Sequence, residues 1–122
     1  MLLTHGRGAR LRSRAEFTEV QQHGRRVATR TMTLLAMPNA LGRDRLGIVA
    51  SRRIGDAVTR NRAKRRIREL FRQRQEGARA SVERRALDLV VIARRDVATA
   101  PYAEIEREFM SAIGRLRTAR AS

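Results

Sequence analysis

Hydrophobic positions along this 122-residue chain change period several times, and each change marks an element. Phe17 and Val20 share one helical face in a segment that opens on Ser13-Arg14-Ala15-Glu16, an S-x-x-E capping box, and closes at His23-Gly24. This predicts a short helix over about 13–23. From Val27 to Met37 the chain is rich in Thr, Leu and Met, with β-branched Thr29, Thr31 and Thr33; Pro38-Asn39 and Gly42 then punctuate it. Beyond them Leu46, Ile48 and Ala50 alternate with Gly47, Val49 and Ser51. The expectation is two antiparallel strands, Val27–Met37 and Arg45–Arg53, joined by a turn or loop. There is room for a further short strand at Arg26–Thr29. In the Arg45–Arg53 strand, period two sets Arg53 on the face of Val49 and Ser51 and Arg52 on the other.

Gly55 and Asp56 break the strand and start a helix of about 57–75. Residues 78–86 either extend that helix or form a loop. LDLVVIA, from Leu87 to Ala93, is short, β-branched and almost continuously apolar, which suits a strand covered on both faces. Thr99 or Ala100 precedes Pro101, a favoured first helical residue. Tyr102, Ile105, Phe109, Ala112, Ile113 and Leu116 then recur at three- and four-residue spacing, predicting a core-facing helix over 101–117. Helix, two or three strands, helix, strand, helix describes an α+β sandwich with one mixed sheet. Residues 1–12 read as a loose basic arm, 13–117 as one domain and 118–122 as a frayed tail.

Charge alters this picture. Bases outnumber acids 28 to 12, for a net charge of +16 and a pI near 12.0. Such an excess repels itself and calls for an anionic partner, nucleic acid first and an acidic membrane surface second. All but one of the bases are arginine, a bias that GC-rich codons can produce; codon usage does not explain the excess itself. There is no cysteine, which excludes disulfides, thiolate metal sites and a cysteine nucleophile. No apolar run approaches the roughly 20 residues of a membrane span, and MLLTHGRGAR lacks the apolar core of a secretion signal. A cytoplasmic protein without a membrane partner is expected, and no protein partner is evident.

The charge is concentrated in TRNRAKRRIRELFR, residues 59–72. At about 100° per residue, Ala63, Ile67, Leu70 and Phe71 fall within one arc that can pack on a sheet. Asn61, Lys64, Arg65, Arg68 and Arg72 fall on the opposite side, flanked by Arg62, Arg66 and Glu69. A merely solvated face usually interleaves acids at i,i+4. Here Glu69 alone faces eight bases between 60 and 74, so a surface for an anion is favoured over a solubilising face. Asn61 can read a base edge or a ribose hydroxyl, or serve as a cap.

The stretch Ser51-Arg52-Arg53-Ile54-Gly55-Asp56-Ala57-Val58-Thr59-Arg60-Asn61-Arg62-Ala63-Lys64-Arg65-Arg66-Ile67-Arg68-Glu69 resembles the signature of the bacterial ribonuclease P protein component family. That pattern is close to S-[KR]-[KR]-x-G-x-A-V-x-R-N-R-x-K-R-x-x-R-E, and every fixed position is met. Arg12–Phe17 with His23-Gly24 resemble the family's first helix, Asp88–Arg94 its last strand and Tyr102 onward its last helix. The resemblance covers residues 10–117.

The resemblance implies a compact αβββαβα sandwich with a left-handed β-α-β crossover. It implies a protein that assists a catalytic RNA in removing the 5′ leader of precursor tRNA, with Mg²⁺ held mainly by the RNA. Carried over residue by residue, Arg52, Arg60, Asn61, Arg62, Lys64, Arg65, Arg68 and Arg72 would contact the RNA subunit. Phe17, Gln21, Leu35, Ser51, Arg53 and Arg94 would line a cleft for the single-stranded leader, an aromatic beside arginines suiting unstacked bases and a phosphate track. Phe17 reads equally well as the anchor of a short amphipathic helix. Gln21 and Leu35 stand where relatives carry aromatics, so leader stacking is expected to be thinner. Lys64, the one lysine, occupies the motif's lysine position, where a compact ammonium fits a phosphate site that a planar guanidinium would not.

Other classes fit less well. A ribosomal-type structural RNA-binding protein would share the charge. A protein-only nuclease needs clustered acids or a histidine base, yet the acids are dispersed, and His5 and His23 fall in the arm and at a helix end. A helix-turn-helix DNA binder would not flank its basic helix with strands.

Overall fold

The computed structural model of the chain describes residues 10–11, 13–78 and 86–118. The first helix, α1 (Arg14–His23), starts on the predicted capping box: the Glu16 amide donates to Ser13 Oγ at 3.1 Å, and the Ser13 amide donates to Glu16 Oε1 at 3.1 Å. Strands β1 (Arg25–Ala28), β2 (Met32–Pro38) and β3 (Arg45–Val49) follow. A 3-10 turn (Arg52–Ile54) leads into α2 (Ala57–Ala78), then β4 (Leu87–Ala93), a one-turn α3 (Asp96–Thr99) and α4 (Tyr102–Thr118).

The sheet runs β1-β2-β4-β3, with β1 and β4 antiparallel to β2, and β3 parallel to β4. The expected pairing of the Val27–Met37 strand with the Arg45 strand is therefore not formed: β4 lies between them. The reason is apolar content. Leu89, Val90 and Val91 of β4 are at most 2% exposed, so this strand needs both faces covered and both edges paired. β3, with Arg45 and Gly47, takes the edge. β1 and β2 are separate strands, because Thr29 turns the chain: its amide and hydroxyl both donate to the Met32 carbonyl, at 2.8 and 2.9 Å.

Three more expectations are corrected. β3 ends at Val49 rather than running to Arg53. Ser51 Oγ accepts from the Arg53 amide at 3.3 Å and the Ser51 carbonyl from the Ile54 amide at 3.1 Å, which curls the chain and drives Ile54 into the core at 2% exposure. The alternating placement of Arg52 and Arg53 lapses with the strand. The arm is not loose throughout: Leu11 is 6% exposed and its amide donates to the Leu46 carbonyl at 3.0 Å, along the open edge of β3. Residues 1–9 lie outside the described residues. Finally, α2 continues to Ala78, so the uncertain 78–86 stretch begins as helix; residues 79–85 and 119–122 are also outside the described residues.

Two cores sandwich the sheet. α2, α3 and α4 cover one face through Ile67, Leu70, Phe71, Val97, Ile105 and Phe109 against Met32, Leu34, Leu89 and Val91. On the other face, α1 and Leu11 cover Leu35 and Val90, with Phe17, Met37, Val49 and Ile92 partly buried around them. Buried ionic junctions tie the layers together. Asp44, 1% exposed in its side chain, is ion-paired with Arg74 of α2 and accepts from the Leu87 amide at 2.8 Å; Arg117 of α4 reaches it at 3.8 Å. Asp88 receives Arg45 through two donors, at 2.9 and 2.8 Å, and Asn39 at 2.7 Å. Arg45 also pairs with Glu16 at 3.0 Å, and chiefly the Asp88 hydrogen bonds hold its guanidinium above the ordinary arginine range.

Candidate nucleic-acid interface

Helix α2 is capped by Asp56, whose Oδ1 accepts from the Thr59 amide at 2.9 Å. Those hydrogen bonds to Thr59 hold the exposed Asp56 carboxyl below the usual aspartate range. Asn61 is thus not a cap; it lies a turn further in and is exposed. The predicted apolar arc is buried as expected, with Ala63, Ile67 and Leu70 at 0% and Phe71 at 1% exposure. Asn61, Arg62 and Arg65 are exposed on the far side, and Arg60, Lys64, Arg68 and Arg72 are half-buried.

The acids are sorted between the arginines, and this is what gives the helix its character. Arg74 pairs with Asp44, and Arg45 with Asp88 and Glu16. Arg30 meets Asp96 and Glu104, and Arg72 binds Glu69 on its own helix. Arg72 is therefore neutralised within the stripe that it was expected to charge. Arg66 turns from the stripe and donates to the carbonyls of Val97 and Ala100, at 3.1 and 2.7 Å. By contrast, the side chains of Arg52, Arg60, Arg62, Lys64, Arg65 and Arg68 form no hydrogen bond or ion pair with any described residue. The Arg60 Nε is even buried without one. Unpaired cations this dense are stabilised only by an external anion.

Two of these cations reach around the edge of the sheet. A pocket of about 170 Å³ is lined by Lys64 and Arg68 of α2, Leu46, Gly47 and Ile48 of β3, Phe17 of α1, and Arg10 and Leu11. Gly47 makes it possible: a Cβ there would lie 2.6 Å from Phe17 Cε1 and Cζ. The aromatic ring therefore rests on bare backbone. The two residue groups expected to serve different ligands, Lys64 with Arg68 and Phe17, thus meet at one pocket.

The remaining expected residues divide. Gln21 is exposed on α1, Ser51 and Arg53 are exposed beyond the end of β3, and Arg94 is exposed just past β4, donating to Thr33 Oγ1 at 3.3 Å. With half-buried Val49 and Ile92, which are register partners, they frame the part of the sheet beyond α1. Leu35 does not join them. At 4% exposure it packs under α1 with Val20 and Val90, so it forms floor, not contact surface. Sequence reasoning missed Arg10, Leu11 and Gly47. Only the last had a signal, a lone glycine inside a strand pattern, which often marks a close approach.

An unpaired cationic helix lying beside an aromatic-edged stretch of sheet defines an RNA-binding protein. Comparison with known proteins agrees: the ribonuclease P family profile matches residues 6–117. The chain is 38% identical over 106 residues to the ribonuclease P protein component of Syntrophus aciditrophicus, covering 87% of this chain and 85% of that one. It is 42% identical over 97 residues to that of Salmonella arizonae, covering 79% and 76%. Among solved structures, the Staphylococcus aureus RNase P protein superposes with a TM-score of 0.73 at 29% identity, covering 89% of this chain and 97% of that one. The Thermotoga maritima protein gives 0.73 at 28% identity, covering 87% and 96%. The chain belongs to the ribonuclease P protein component family, the protein side of a tRNA-processing endoribonuclease that works with an RNA subunit.

Proposed function

We propose that α2 docks this protein on the ribonuclease P RNA, and that the sheet beyond α1 holds the single-stranded 5′ leader of precursor tRNA. In this reading cleavage takes place in the cytoplasm, on the RNA subunit. The observation that carries it is where the unpaired charge gathers: acids hold Arg30, Arg45, Arg72 and Arg74, whereas Arg60, Arg62, Lys64, Arg65 and Arg68 stand together on α2, unpaired among the described residues. Asn61 stands between them with a donor and an acceptor, suited to a ribose hydroxyl or base edge. Arg52 extends the cationic surface past the helix start. On the leader side, Phe17 offers a ring edge, Gln21 an amide, and Arg53, Arg94 and Ser51 donors for phosphates. The pocket at Gly47 joins the two surfaces, so leader and RNA subunit approach each other at the β3 edge.

Mg²⁺ belongs to the RNA in this reading. The residues present do not fit a metal cage: among the described residues no group of three or more His, Cys, Asp or Glu could hold one. Asp44, Asp88, Glu16 and Glu69 are each held by arginine. The protein's part is to bind, orient and screen phosphate repulsion. No described helix is long and apolar enough to cross a membrane.

Reconstitution tests the reading. Alone, the chain should cleave no precursor tRNA. Added to a bacterial ribonuclease P RNA at low Mg²⁺, it should stimulate cleavage and tighten binding of precursor over mature tRNA. Equal binding of the two would refute the leader assignment, and failure to stimulate any such RNA would favour a structural RNA-binding role.

A further inference from the structure

A second recognition element lies on the opposite flank of α2 from the β3 pocket. Tyr102, the chain's one tyrosine, opens α4 and is half-buried against α2. Together with Arg65, Arg66 and Glu69 it lines an open cleft of about 300 Å³. Arg66 is fixed there by its hydrogen bonds to Val97 and Ala100, with its guanidinium carbon 6.0 Å from the Tyr102 ring centroid. Arg65 is exposed at the cleft and unpaired among the described residues. The Tyr102 hydroxyl is enclosed and has no partner among them, so the ring, not the hydroxyl, is what the cleft offers.

We infer that this cleft takes one unstacked nucleobase of the RNA subunit, stacked on Tyr102 and the Arg66 plane, with Arg65 on the adjoining phosphate. The inference rests on the proposal that α2 faces that RNA. An anchored guanidinium beside an aromatic ring is a stacking platform, and it tolerates any base because each has a π face. A bare phosphate does not suit the same space: Glu69 lines it, and the face of an aromatic ring is negative. Charge complementarity points to RNA as the source, because Arg65 belongs to both the cleft and the unpaired α2 stripe. A base seated here would add an apolar contact that the salt-sensitive phosphate contacts of α2 lack.

The test is equilibrium binding of the full chain to a bacterial ribonuclease P RNA across a salt series. Tyr102→Leu should weaken binding by about 5- to 150-fold, the worth of one stacked base, and leave the salt slope unchanged because no charge is removed. Tyr102→Phe should stay within about twofold of the parent, since an unpartnered hydroxyl contributes nothing to the contact. Arg65→Ala should weaken binding and also lower the slope. Parent affinity in Tyr102→Leu, or Tyr102→Phe as weak as Tyr102→Leu, would overturn the stacking site. If Arg65→Ala too bound like the parent, the α2 docking proposal itself would fall. Because Tyr102 also packs on the core, a photoreactive phenylalanine analogue at position 102 provides a second readout. It should crosslink to a nucleotide of the RNA subunit, and a complex with no such crosslink would count against the site.

Discussion

Gly47→Ala perturbs the pocket that α1, β3 and α2 share. A Cβ at position 47 would lie 2.6 Å from two atoms of the Phe17 ring and 3.1 Å from Leu11 Cδ1. Carbon atoms pack best near 3.5–4.0 Å, so the ring must retreat by about 1 Å. Overpacking costs about 1–3 kcal/mol in a closed core. Phe17 is only half-buried and can swing outward, which places this cost at the low end, about 1 kcal/mol. For a domain of this size that lowers Tm by about 4 °C. The larger consequence is functional, because the displaced ring leaves the strand it rests on. Thermal melts paired with binding to precursor and mature tRNA, measured with the reconstituted RNA, report both effects. Discrimination should shrink more than affinity for the RNA subunit does. Gly47→Ala combined with Phe17→Leu should recover most of the lost Tm, since the smaller side chain removes the clash. Gly114→Ala is the control: nothing lies within 4 Å of its Cβ, in an exposed position of α4, and it should be neutral or stabilising. A parent-like Tm and parent-like discrimination in Gly47→Ala would refute the reasoning.

Other outcomes follow from the charge sorting. If Arg60, Arg62, Lys64, Arg65 and Arg68 each neutralise one phosphate, the log–log salt slope of RNA binding carries about 3.5–4.5 from α2, and each Ala substitution removes about 0.7–0.9, checked by filter binding. Arg74→Ala strips the main partner from a buried Asp44 and should cost about 3–5 kcal/mol in urea unfolding, leaving the slope untouched. Lys64→Arg keeps the charge but crowds a planar fork into the pocket beside Phe17, and should lower reconstituted cleavage; full activity would refute a need for the ammonium. For Glu108, burial pushes the carboxyl up. Hydrogen bonds from Thr31, at 2.7 Å from the hydroxyl and 3.2 Å from the amide, together with the charge of Arg30, outweigh it and hold the group below its ordinary value of 4.5. A depressed folded value adds stability above that ordinary value and loses it as pH falls through the folded one. Glu108→Gln should therefore lower Tm at neutral pH and flatten its fall on acidification; an unaltered acid limb would contradict the assignment.

The sequence by itself determined what local chemistry decides. The capping box set the start of α1, three- and four-residue spacing set α4, and the angular split of residues 59–72 set which side of α2 packs and which stays free. All of these rest on interactions within a few residues, so the chain carries them openly. The signature from Ser51 to Glu69 likewise placed the family, because it is a contiguous string. What the tertiary structure decided depends on residues far apart. LDLVVIA enters between β2 and β3 because its apolar faces need the centre of the sheet, whereas adjacency in sequence suggested a hairpin. Leu35 is lost to the core because α1 lies over it, and Arg66 is drawn off the basic face by the carbonyls of Val97 and Ala100, which belong to another part of the chain. Leu11 is drawn out of the arm by the free edge of β3. The pocket at Gly47 and the cleft at Tyr102 each need side chains from separate elements brought to one place, through the burial of an apolar sheet on both faces. No local period encodes that distance, so only the folded chain shows which cations remain unpaired and what stands beside them.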